Sequence, residues 1–93
     1  MTARLSKVIE RALKYNGFKK TPTHHNQYRY YTLAGKKAPV KTFISHGTKD
    51  YGDDLLSKMA DQLKLTKKEL LMFIDGKMKR KEYEDILKKQ GII

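Results

Sequence analysis

The stretch "FKKTPTHHNQYRYYTLAGKKAPVKTFIS", Phe18 to Ser45, decides the fold. Its apolar and polar residues alternate with period two, and proline and glycine divide it into three pieces. "FKKTP" reads as a short strand stopped at Pro22, because proline has no N–H to give to a ladder. A turn around Thr23 leads to a second strand over about residues 26–33, rich in tyrosine as strands commonly are. "AGKKAP" (residues 34–39) reads as a turn. "VKTFIS" (Val40–Ser45) is the third strand, with Val40, Thr42 and Ile44 on one side and Lys41, Phe43 and Ser45 on the other. Strands joined by such short turns must run antiparallel, since parallel neighbours need long crossovers.

On either side of this meander the period changes to that of a helix. Upstream, Leu5, Val8, Ile9, Ala12 and Leu13 form one apolar stripe, and the helix should end at Gly17, which can take a left-handed capping conformation. Downstream, "HGTKDYGDD" reads as a loop, followed by a second helix with Leu55, Leu56, Met59, Ala60 and Leu63 on its apolar face. Asp53 and Asp54 suit the positive end of its dipole. "TKKE" (Thr66–Glu69) is a capping box that should open a third helix with Leu70, Leu71, Phe73 and Ile74. Gly76 breaks it, and a fourth helix is expected from about Arg80 to Gln90 with Tyr83, Ile86 and Leu87 apolar. The expectation is a single α+β domain over residues 1–93. Residues 1–65 form an α-β-β-β-α core with helices on one face of a three-stranded antiparallel sheet, and residues 66–93 add two helices.

The chain has 93 residues and a net charge of +11, and that charge is lopsided. Residues 1–49 hold 11 Lys/Arg against one acid, Glu10, whereas residues 50–93 hold 10 against nine acids. An excess confined to one half points to a surface that meets a polyanion, nucleic acid before an acidic protein. The near-neutral last two helices are expected to enlarge the core or contact a partner rather than serve RNA. No run of 18 apolar residues exists, so no membrane span is expected. The absence of cysteine and of an apolar leader favours a cytoplasmic protein.

Several short motifs in order resemble the HicA-type toxins of toxin–antitoxin systems. They are a first helix ending in "GF", a histidine three residues before Tyr28, the strand exit "ISHG" with Lys49 following, and a helix carrying "LL.KMA.QL". The likeness spans residues 4–70. It implies a double-stranded-RNA-binding-domain-like fold, metal-independent cleavage of mRNA, no cofactor, and a HicB-like antitoxin as partner. The family motif Gly-Ser-His-x-x-Tyr/Phe, matched on Tyr28, puts the catalytic histidine at His25, with Thr23 at the glycine position. His24 stands at the serine position, which leaves it as the alternative catalyst.

The chemistry is compatible with that reading. A histidine near its ordinary pKa can take the proton of a 2′-hydroxyl, which then attacks the neighbouring phosphorus. Cations steady the charge that builds on the phosphorane oxygens. Lys19, Lys20, Arg29 and Lys41 are the candidates, and His46, Thr48 and Lys49 could hold a phosphate near the second helix. Strand parity puts His25, Gln27, Arg29 and Tyr31 on one face, and Tyr28 and Tyr30 on the packing face. It therefore favours His25 over His24, and leaves Tyr31 open to base stacking. A metal site is disfavoured, because adjacent histidines on a strand diverge and no carboxylate motif accompanies them. "KMKRKEYE" reads as a solvated helix face with i,i+4 pairs. A non-catalytic RNA-binding module on the same scaffold is the alternative function. A protein whose basic face docks an acidic partner chain is a third.

Overall fold

The computed structural model describes residues 3–21, 27–44 and 49–93. Its elements in order are β1 (Arg4–Leu5), α1 (Ser6–Tyr15), β2 (Phe18–Lys20), β3 (Gln27–Tyr31), β4 (Lys37–Phe43), β5 (Asp50–Tyr51), α2 (Asp53–Leu63), α3 (Lys67–Ile74) and α4 (Arg80–Lys89). The fold is mixed α+β, with β2-β3-β4 as a three-stranded antiparallel sheet and β1-β5 as a small separate ladder.

The sheet has two unlike faces. Phe18, Tyr28, Tyr30, Ala38, Val40 and Thr42 are buried, while residues of the other parity are mostly open. The helices cover the first face: α1 packs beside β2 and α3, and α2 lies on β4 and α3. One continuous apolar cluster runs from Ile9 to Leu87. At its centre Phe18 and Tyr30 meet Phe73 of α3 and Tyr83 of α4, with ring centroids 5.2–6.0 Å apart and mostly tilted or edge-on. Aromatic rings prefer such geometries because ring edges are positive and faces negative. The last two helices therefore enlarge the core.

Four local expectations are revised. Leu5 does not join the α1 stripe; it sits in β1, opposite Asp50, and is 38% exposed. The stretch read as a loop around Asp50 contains β5, and the β1–β5 ladder is too short for a period to mark it. The third strand starts at Lys37 rather than Val40, with alternation that leaves Ala38, Val40 and Thr42 buried. Pro39 is tolerated there because β4 is an edge strand and the β3–β4 register shifts between Arg29 and Tyr31. The turn accordingly falls earlier, where Thr32 and Lys36 bond each other and Gly35 has φ +83°.

The fourth revision concerns "KMKRKEYE". Glu84 is 5% exposed and accepts hydrogen bonds from the Tyr30 hydroxyl at 2.6 Å and the Leu33 amide at 2.8 Å. Arg80 donates to the carbonyls of Tyr31 (2.8 Å) and Thr32 (3.1 Å). The i,i+4 pair Glu84–Lys88 exists, but two of the segment's charges bind the sheet and do not face solvent. The Arg80 guanidinium fits because Gly17 has no side chain: a Cβ there would come within 2.6–2.9 Å of it.

Candidate nucleic-acid interface

Phe18 pairs with Tyr30, and one residue on, Lys19 pairs with Arg29, which pairs with Lys41. Cross-strand partners share a face, so the three cations form a row across the open face. With strands about 4.8 Å apart the row spans about 10 Å. Lys19 and Lys41 are exposed and Arg29 half-buried. Among the described residues no carboxylate ion-pairs with any of them. Arg29 Nη1 donates to the Ala38 carbonyl at 3.0 Å, and Lys19 Nζ lies 5.0 Å over the Tyr31 ring. Like charges placed opposite each other oppose folding by a few tenths of a kcal/mol per pair. A polyanion on this face removes that cost.

Lys37, opposite Tyr31 across the register shift, extends the basic surface, and Phe43, opposite Gln27, closes its far end. Phe43 is 44% exposed, a large aromatic surface beside the row. Lys37 was missed in the sequence because its segment reads as a turn. Phe43 carried a signal, since it alternates in step with Lys41.

Not every candidate joins this surface. Lys20 pairs with the buried Tyr28, so it lies on the helix-side parity, exposed at the edge strand β2. Lys49 is exposed too, and its carbonyl accepts from the Ser6 amide at 2.8 Å. The strand β5 separates it from α2. His24, His25, His46 and Thr48 lie outside the described residues. The strand ends that lead to them do not: β3 begins at Gln27, β4 ends at Phe43, and Gln27 pairs with Phe43.

Behind the open face the Tyr28 and Tyr30 hydroxyls and the Glu84 carboxylate are committed to structure. Glu10, the sole acid of residues 1–49, accepts from the Tyr28 hydroxyl at 2.5 Å. Burial first, and that bond second, push the Tyr28 phenol well above its usual value. Tyr30 is pushed up to about 12 by burial and by its bond to Glu84. Burial would raise the Glu84 carboxyl, but the Tyr30 hydroxyl, the Leu33 amide and the nearby Lys88 and Arg80 outweigh it and hold it below the ordinary value. None of these three groups is poised for proton transfer at neutral pH.

No helix among the described residues is long and apolar enough to cross a membrane. Compared with protein-family models, curated proteins and solved structures, the chain matches none of them.

Proposed function

We propose that the chain is a HicA-like endoribonuclease that cuts mRNA without a metal, on a double-stranded-RNA-binding-domain-like core of α1-β2-β3-β4-α2. The observation that carries this reading is the row Lys19–Arg29–Lys41 across the open face, with which no carboxylate among the described residues ion-pairs. The row would hold the RNA backbone, as counterion release favours, and His25 would exchange a proton with the 2′-hydroxyl, with His24 as the alternative. The basic face is also the surface that a HicB-like acidic antitoxin would cover.

The test is cleavage of a defined RNA by homogeneous protein in EDTA. His25→Ala should abolish cutting while the circular dichroism spectrum and melting temperature stay as in the parent. Full activity in His25→Ala with loss in His24→Ala moves the role one residue back. Activity surviving both changes removes histidine catalysis at this pair. A second reading, a non-catalytic RNA-binding module, is favoured by the half-buried Tyr31 and the exposed Phe43 flanking the cations, an arrangement suited to stacking unpaired bases. It requires salt-dependent binding with no turnover.

A further inference from the structure

At the free edge of the sheet, where the end of β4 meets α2, a cleft of about 150 Å³ is lined by Phe43, Tyr51, Leu55, Lys58, Met59 and Gln62. Phe43, Tyr51, Leu55 and Met59 form its aromatic and apolar walls, and Lys58 and Gln62 add polar side chains beside the Tyr51 hydroxyl. The Thr42 hydroxyl donates to Gln62 Oε1 at 2.6 Å, which fixes the orientation of the amide. The Gln62 NH₂ group is left as a donor with no hydrogen-bond partner among the described residues. Lys58 is exposed and has no carboxylate within ion-pair distance among them, and its ammonium offers only donors.

Phe43 links this cleft to the basic row. It stands two residues beyond Lys41 on the same strand parity, about 7 Å along the strand, so a nucleotide stacked on Phe43 has its phosphate within reach of Lys41. We infer that the cleft takes the edge of one unpaired base stacked on Phe43, and that Gln62 and Lys58 select a base presenting two neighbouring acceptors. Guanine does so with O6 and N7, and cytosine with N3 and O2. Adenine and uracil place a donor next to each acceptor on their pairing edges, and adenine also beside N7. The assignment rests on the RNA reading above and adds base selection to it.

The experiment measures binding of four heptaribonucleotides, UUUXUUU with X as G, C, A or U, by fluorescence anisotropy at low salt. The parent protein should bind the G or C oligomer about tenfold more tightly than the A and U ones, and the G and C arms separate the two acceptor edges. Gln62→Glu keeps an acceptor for Thr42 while replacing the donor NH₂ by a carboxylate. It should reduce the preference for G and C, because a carboxylate cannot donate to their paired acceptors, whatever it does to overall affinity. Phe43→Ala should erase the differences among the four. Equal affinities for all four oligomers in the parent overturn the base cleft and leave the RNA reading standing. Failure of every oligomer to bind at any salt overturns the RNA reading, and the cleft assignment falls with it. An unchanged ratio in a folded Gln62→Glu protein removes Gln62 as the selecting group.

Discussion

Gly17 shows how a single residue can be readable for one reason and constrained for two. The sequence marks it as a helix stop, and its φ of +92° agrees. Nothing in the sequence says that the Arg80 guanidinium, 63 positions away, lies where its Cβ would be. Gly35 also has positive φ but open space around it. Gly17→Ala should therefore cost more than Gly35→Ala in urea denaturation. The second should lose about 1 kcal/mol from backbone strain alone, and the first should lose that and the displaced arginine contacts. Glu84 is the other residue that composition hides, since it looks like one more charge on a mixed helix. Its folded-state pKa is depressed, so the stability it contributes is present above the ordinary carboxylate range and is lost as pH falls through the lowered value. Asp75, held down first by its hydrogen bonds to Arg4 (both 2.8 Å), acts in the same direction. Acid unfolding should set in below roughly pH 4, and Glu84→Gln should flatten that limb while lowering stability at neutral pH. At the alkaline end the sign reverses for Tyr30. Its contribution is complete below its unfolded value near 10 and disappears as pH rises toward about 12, which a tyrosinate absorbance titration alongside the melt will show.

Elements were readable where a period persists or a cap has its own chemistry. The α3 capping box is present in both directions, Glu69 amide to Thr66 Oγ1 at 3.1 Å and Thr66 amide to Glu69 Oε1 at 2.8 Å. Thr66→Ala should cost about 1 kcal/mol in a denaturant melt and leave RNA binding untouched. The stripes of α1, α2 and α3, and the inward turn of Tyr28 and Tyr30, follow from spacing alone because burial enforces the period. The start of β4 was misread because Pro39 outweighs the alternation Ala38, Val40, Thr42 when the strand's edge position is unknown. The β1–β5 ladder was not readable at all: two residues carry no period, and their pairing depends on where α1 and α2 begin. The cation row lay between these cases. Its members were each suspected from charge, but their alignment depends on register, which fixes Lys19, Arg29 and Lys41 abreast and turns Lys20 to the other side.

For the whole molecule the asymmetry of charge becomes an asymmetry of surface. The helices bury one face of the sheet around the Phe18–Tyr30–Phe73–Tyr83 cluster, and the opposite face carries cations that no described carboxylate neutralises. The C-terminal half carries nearly as many cations, but its acids balance them. The central claim is that placement, and not total charge, makes the binding surface. It is tested most directly by the salt dependence of single-stranded RNA binding in two triple variants of equal charge. One is Lys19→Ala/Arg29→Ala/Lys41→Ala. The other replaces the exposed Lys68, Lys81 and Lys89 by Ala. With about 0.7 counterions released per phosphate contact, the sheet triple should lower the slope of log affinity against log salt by about two. The helix triple should leave that slope at the parent value. Equal slopes in the two variants, or a larger loss in the helix triple, would contradict the assignment of the open face as the RNA surface.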